Sequence, residues 1–300
     1  ETELWPNLFA ACERRGIRLV LANARLSERS ARGYRWVRPL IAHTLDRLSL
    51  IAAQTEADAR RLVALGADPE HVQVTGSIKF DLQLPASLRE QAAVLRRRLG
   101  ISRSVLIAAS THDGEEAQVL DAFERIRAEV PDCLLLLVPR HPERFGLALS
   151  QCRRRGLACT SRSANPRDCD GMDVFVGDSM GELPLYYAAA DVAFVGGSLV
   201  PVGGHNMLEP SALGLPVVFG PHVFNFSEIS QQLCECGAAR QVADMQGLAV
   251  TAITLLKDAN LRHQMGDRGR EFVGRNRGAL KRVLQEVDKA LRSANPPSQT

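Results

Sequence analysis

Much of this chain alternates between two kinds of segment. Short apolar runs of strand length are separated by helical segments, and the cycle repeats from residue 104 to residue 220. The runs are SVLIAAS (104–110), CLLLLVP (133–139), LACTSR (157–162), MDVFVGD (172–178), DVAFVGG (191–197) and LPVVFG (215–220). Continuous apolar runs of this length suit strands buried on both faces, and intervening helices make such strands parallel. An earlier, shorter series reads the same way: IRLVLAN (17–23), LSLIAAQ (48–54) and HVQVTG (71–76). The fold class is therefore α/β, with two doubly wound, Rossmann-like units. The first holds about three strands, roughly half the usual complement, and is read as incomplete.

The expected boundaries follow. Residues 1–82 form the partial N-terminal unit, and 83–102, with Pro85 and the charged stretch LREQAAVLRRRLG, form a linker. Residues 103–275 form the second unit. Residues 276–294 form a C-terminal helix with one apolar face (Leu280, Val283, Leu284, Val287, Leu291), expected to pack back on the first unit. The tail 295–300 is expected to be disordered. The chain starts at Glu1 in a dense motif, and more chain is expected ahead of it in the natural protein.

Composition removes some functions. A net charge of +3 is too small to argue for nucleic acid. Seven cysteines, an odd number in a chain of this size, do not read as a disulfide framework and suit a reducing compartment. Cys234-Glu-Cys236 lacks the second ligand pair a zinc site needs, so neither a metal nor a cofactor is expected. No apolar run approaches the roughly 18–20 residues of a spanning helix.

The densest candidate site is Val195-Gly-Gly-Ser-Leu-Val-Pro-Val-Gly-Gly-His-Asn-Met-Leu-Glu-Pro210. A strand ends in one glycine pair, and a second pair, Gly203 and Gly204, opens a helix. Glycines permit close approach to a ligand, and a helix N-terminus offers amides to a phosphate. His205, Asn206 and Glu209 share that cleft, with Glu209 placed to accept hydrogen bonds from ribose hydroxyls. Three more loops follow strands, where open α/β sheets bind ligands. The first offers Ser110 or Thr111 as helix cap or phosphate contact. The second offers Arg140 and His141, a cation suited to a phosphate or a planar base. The third is a helix start at Met180, Gly181 and Glu182.

In the first unit, Glu1 and Glu3 flank the start of ETELWPN, where a carboxylate can act as general base; a helix cap before a core tryptophan is the plainer reading. Arg25, Arg29, Arg32 and Arg35 recur every three to four residues, leading into and along a helical stretch, 27–48, with only Glu28 as an acidic neighbour among them. That spacing points to an anionic partner such as a phosphorylated lipid, against the common reading of a solvated face. Lys79 sits at the exit of the first unit and is expected to face a cleft.

Together the segments ETELWPN, ARLSERSARGY, QTEADARRLVALGA, VTGSIKFD, ASTHDGEE, VPRHPERF, GDSMGELPLYYAAADVAFVGGS and GGHNMLEPSALGLPVVFGP resemble the bacterial 3-deoxy-D-manno-octulosonic acid (Kdo) transferases of lipopolysaccharide synthesis. They span nearly the whole chain in order. The resemblance implies a GT-B fold and a metal-independent, inverting transfer of Kdo from CMP-Kdo to a lipid A precursor. It implies work at the cytoplasmic face of the bacterial inner membrane through a peripheral contact. It also implies that the main catalytic base lies ahead of ETELWPN, with Glu1, Glu3 and Lys79 as the catalytic candidates present here. Two other readings stay open on the residues alone: a sugar-nucleotide 2-epimerase of the same fold, and a non-catalytic nucleotide-binding module.

Overall fold

The computed structural model describes residues 4–292. The chain forms two compact units, the first built from residues up to 82 together with those from 276 onward, the second from 83–275.

The first unit begins with α1 (Pro6–Glu13), β1 (Leu19–Ala24), α2 (Glu28–Tyr34), α3 (Arg38–Leu45), β2 (Leu48–Ala53), α4 (Glu56–Leu65) and β3 (Val72–Val74). Its three strands are parallel in the order β1-β2-β3. The central strand is the most apolar, and Leu48, Leu50, Ile51, Ala52 and Ala53 are all buried. Helix α4 starts and stops by local chemistry. The Thr55 hydroxyl accepts from the Asp58 amide at 3.1 Å. Gly66 ends the helix in the left-handed region, where a Cβ would also strike Ala42. Asp58 is buried because it is fully used: it accepts from the Leu26 amide (2.8 Å) and the Thr55 hydroxyl (2.6 Å), and pairs with Arg61 (3.1 Å).

The single basic helix expected over 27–48 is not one helix. Helix α2 ends at Tyr34, a 3₁₀ turn covers Arg35–Val37, and α3 starts afresh at Arg38. Pro39 explains the break, since proline is tolerated in the first turn of a helix and not in its interior. Arg29 and Arg32 lie on α2, Arg25 precedes it, and Arg35 belongs to the turn.

The second unit comprises α5 (Leu88–Leu99), β4 (Val105–Thr111), α6 (Glu115–Glu129), β5 (Leu134–Pro139), α7 (Phe145–Arg154), β6 (Cys159–Ser161), β7 (Val174–Val176), α8 (Leu183–Ala188), β8 (Val192–Val195), α9 (Leu208–Leu213), β9 (Val217–Phe219), α10 (Ser227–Glu235), β10 (Ala239–Gln241), α11 (Met245–Lys257) and α12 (Ala259–Asn276). Residues 83–102, expected as a linker, instead carry α5. Leu88, Ala92, Leu95 and Leu99 recur at helical spacing and are buried in the core of this unit.

Seven parallel strands lie in the order β10-β9-β8-β4-β5-β7-β6. The strand period of two sorts the core. Leu106, Ala108, Leu135 and Leu137 face α6, α7 and α11; Val105, Ile107, Ala109, Leu134 and Leu136 face α5 and α8. From β4 the chain winds toward β5 on one side, and β8, β9 and β10 lie on the other. The β4/β8 boundary is thus the topological switch point, where the crevice of an open α/β sheet lies.

Helix α13 (Ala279–Arg292) returns to the first unit and packs on β1 and β2. The Asp81 carboxylate accepts from the Gly278 and Leu280 amides, both at 2.6 Å, at the start of this helix. Arg282 donates to the Thr75 carbonyl at 2.7 Å, and Arg18 donates to the Ala290 carbonyl. Among the described residues no helix is long and apolar enough to cross a membrane.

Candidate nucleotide-binding site

The carboxyl ends of β4, β5, β7 and β8 all point to one edge of the parallel sheet, and every candidate of the second unit emerges there.

The organising residue at the switch point is Glu115, the first residue of α6. Its side chain has no exposure. Its carboxylate accepts from three successive amides just past β8: Gly197 (2.6 Å), Ser198 (3.0 Å) and Leu199 (2.9 Å). The His112 amide adds a fourth at 3.2 Å. Burial raises the Glu115 pKa, and these amides oppose the rise. A row of amides like this is an anion nest; here the protein's own carboxylate fills it. Gly196 is required by the same packing, because a Cβ there would lie 2.7 Å from the Glu115 carboxylate and 2.8 Å from the Ser110 carbonyl. Beside it, Glu116 is buried against Arg144, which donates to it through Nε (2.9 Å) and Nη2 (2.8 Å) and also pairs with Asp113 (2.8 Å).

This changes the roles expected of several residues. The Gly203 and Gly204 amides both donate to the Gly197 carbonyl, at 3.1 and 2.8 Å, so they close the loop and are not free for a phosphate. Both have positive φ, and a Cβ on Gly203 would collide with Phe224 and Asn225. Neither Ser110 nor Thr111 caps α6; Gly114 occupies that position. Strand β4 runs on through Thr111, with Ser110 in the left-handed region, so the helix starts later. Thr111 is buried and donates to Glu116 at 3.3 Å. Glu182 is held by Arg162 at 2.9 and 3.0 Å and by the Ser179 hydroxyl at 2.5 Å. The Arg162 hydrogen bonds, followed by Ser179, hold its carboxyl down to about 2. Met180 is exposed beside it, and Gly181 turns the chain at φ 81°.

What remains open is a set of side chains. Arg140 is exposed just past β5, its amide bound to the Thr111 carbonyl at 3.0 Å, and makes no ion pair among the described residues. His112 and His205 meet with their Nε2 atoms 2.7 Å apart and their rings nearly parallel, while His141 stands edge-on to His112 with ring centroids 5.2 Å apart. Burial first, then His112, Arg140 and His141, lowers His205 to about 4. Burial and then His141 also lower His112, against the opposite pull of Glu116. On the far side of the loop, Asn206 does two jobs. Its carbonyl accepts from the Leu208 amide (3.0 Å), and its amide donates to one Glu209 oxygen (3.0 Å). Glu209 sits in the first turn of α9, half-buried, with its pKa raised by burial.

The sequence reading missed Glu115, Glu116, Arg144 and His112. A signal existed: Val119, Leu120 and Phe123 form the buried stripe of α6, and four residues back from Val119 and Leu120 lie the two glutamates. Among the described residues no group of three or more His, Cys, Asp or Glu side chains is arranged to hold a metal. The seven cysteines are free. Glu1 and Glu3 lie outside the described residues. Lys79 is the middle residue of the 3₁₀ turn Ile78–Phe80 in the first unit. Arg29, Arg32 and Arg35 are exposed and Arg25 is half-buried; Arg32 approaches Glu28 at 3.9 Å on an open surface.

Two family models match the chain: 3-deoxy-D-manno-octulosonic-acid transferase (kdotransferase) over residues 1–82, and glycosyl transferases group 1 over residues 116–272. The 3-deoxy-D-manno-octulosonic acid transferase of Haemophilus influenzae is 43% identical over 95% of this chain and 67% of its own length. The C-terminal CMP-Kdo binding domain of WaaA from Acinetobacter baumannii superposes with a TM-score of 0.59 at 35% identity, over 62% of this chain and 98% of that domain. UDP-GlcNAc 2-epimerase from Neisseria meningitidis aligns over 96% of this chain and 73% of its own, with a TM-score of 0.56. At 12% identity that likeness concerns the fold alone.

Proposed function

The chain belongs to the 3-deoxy-D-manno-octulosonic acid transferase family, and from that premise we propose that its second unit binds CMP-Kdo at the switch-point crevice for transfer of Kdo to a lipid A precursor. The observation that carries the donor assignment is Arg140: a cation just past a buried strand, without a carboxylate partner among the described residues, beside three histidines. The nearby Gly197–Leu199 amides are occupied by Glu115, so the phosphate falls to side chains. Glu209, with one oxygen fixed by Asn206, takes the ribose hydroxyls, and His141 and Met180 border the nucleotide. Glu182 supports its loop through Arg162. The first unit takes the acceptor, with Arg25, Arg29, Arg32 and Arg35 toward lipid phosphates or the anionic cytoplasmic face of the inner membrane, and Lys79 serving the transfer step.

Calorimetry with CMP tests the donor site. Arg140→Ala and Glu209→Ala should each weaken CMP by about 1.5–3 kcal/mol, the range for losing a hydrogen bond to a charged group. Wild-type affinity in both variants, or equal affinity for UDP in the parent, would remove the assignment.

A further inference from the structure

The two imidazoles of His112 and His205 meet at 2.7 Å through Nε2, an atom that donates only when it carries a proton. A contact this short requires one proton between the two nitrogens: one ring donates and the other accepts. In the neutral pair one ring carries its proton on Nε2, in the contact, and the other carries its own on Nδ1, so one further proton can be taken on the Nδ1 of the donating ring. We propose that His112 and His205 form a proton-accepting phosphate site, and that an anionic phosphate bound beside them draws one proton from solvent onto the pair. The proposal rests on the nucleotide reading of this crevice and adds to it the residues that carry the phosphate charge and the proton that accompanies it.

Three observations support it. The first is the supply of donors. Glu115 takes the Gly197, Ser198 and Leu199 amides, and Gly197 takes those of Gly203 and Gly204, so backbone donors at the crevice are largely spent. The second is the charge facing the pair from each neighbouring element. Past β5 stand Arg140, His141 and Arg144, with Arg144 already neutralised by Glu116 and Asp113. From α6 the nearest carboxylates are those same Glu116, bound to Arg144, and Glu115, bound to amides. On α9, Glu209 is tied to Asn206. The carboxylate that favours a charged His112 is Glu116, already bound to Arg144, while Arg140 and His141 oppose the charge. The third is the resulting titration: burial, joined by the neighbouring histidines and Arg140, lowers both imidazoles, and His205 reaches about 4. Without an anion the pair is neutral near pH 7. An anion arriving at Arg140 reverses the sign of the local field, and the pair's proton affinity rises with it.

The step balances simply. Solvent supplies one proton, an imidazole nitrogen accepts it, and it returns to solvent when the anion leaves. No covalent bond changes. A phosphomonoester carries nearly two negative charges at neutral pH, against one for a phosphodiester. The coupling is accordingly stronger to free CMP than to an intact nucleotide sugar.

The test is calorimetry of CMP binding to this chain at pH 7.5 in buffers of different ionisation enthalpy, where CMP itself is mostly dianionic. The slope of observed enthalpy against buffer enthalpy counts protons. Uptake approaching one proton per CMP is expected, with affinity falling by up to tenfold per pH unit above neutrality. Cytidine, which lacks the phosphate, should show no uptake. In the His112→Asn, His205→Asn double variant CMP should still bind through Arg140 and Glu209, more weakly, with the uptake abolished. CMP binding with zero or negative uptake, or uptake unchanged in the double variant, overturns the proposal and leaves the nucleotide site standing. Absence of CMP binding to the parent chain overturns both.

Discussion

Replacing Glu115 should damage this fold more than any other single exposed-looking acid in the sequence. Its carboxylate has no exposure and four amide donors at 2.6–3.2 Å, from Gly197, Ser198, Leu199 and His112. Glu115→Ala leaves at least three buried amides without a partner, each costing about 1–3 kcal/mol. Removing the carboxylate also relieves the cost of burying a charge, and water entering the vacated space can satisfy some donors. The net expectation is about 3–5 kcal/mol, a large part of the roughly 5–15 kcal/mol that stabilises an ordinary domain. Glu115→Gln should fall between, because it keeps one acceptor oxygen but turns an N–H toward an amide. The assay needs care. Trp5 and Trp36 both belong to the first unit, so tryptophan fluorescence does not follow the second. Urea unfolding by far-ultraviolet circular dichroism should be combined with hydrogen exchange at residues 197–199. A loss below about 1 kcal/mol in the alanine variant, with those amides protected as in the parent, would refute the reasoning.

Three further expectations concern other parts of the molecule. Arg162 holds the Glu182 carboxyl at about 2, below its ordinary 4.5, so the pair's contribution to stability is complete above about 4.5 and is lost as pH falls toward 2; Arg162→Ala should flatten the melting temperature in that window, and an unchanged acid profile would refute the pairing. Arg29→Ala with Arg32→Ala should weaken binding to anionic lipid vesicles, at about 1 kcal/mol per residue, while the melting temperature stays within a degree or so; a large drop in melting temperature with unaltered vesicle binding would make these arginines structural. CMP affinity should not respond to EDTA or magnesium, because Arg140 and the histidines carry the phosphate charge; affinity abolished by EDTA and restored by magnesium would contradict this.

The parts legible in the sequence are those whose chemistry repeats. Strands β4 and β5 stand out because both faces are buried, which makes all but Ser110 and Thr111 at the end of β4 apolar, and α4 is bounded by Thr55 and Gly66 acting on their immediate neighbours. Strand β10 (Ala239–Gln241) is not legible in the sequence. It is a three-residue edge strand with Arg240 and Gln241 exposed, and nothing in its composition separates it from a loop. The residues of the glycine loop are legible in the sequence, and what fills the space beside them is not. Two glycine pairs announce close approach, but whether the approaching group is a ligand or Glu115, some eighty residues away, depends on tertiary packing. Helix α5 reads as a linker because its arginines and Pro85 dominate the local composition, while its buried stripe of Leu88, Ala92, Leu95 and Leu99 finds its complement only on the sheet.

The return of α13 to the first unit carries a consequence for synthesis. The second unit is continuous in sequence, so a ribosome delivers all of it before α13 exists. The first unit must wait, its β1 and β2 lacking the helix that packs on them and Asp81 lacking the amides it caps. Its closure joins residues nearly two hundred positions apart, and the loop between them is costly to close as a flexible chain but much less so once the second unit has folded within it. The order of emergence therefore favours the nucleotide unit as the earlier folder. During elongation the first unit is the part exposed to chaperones and proteases, and a nascent chain arrested before residue 279 would carry a finished second unit beside an unfinished first.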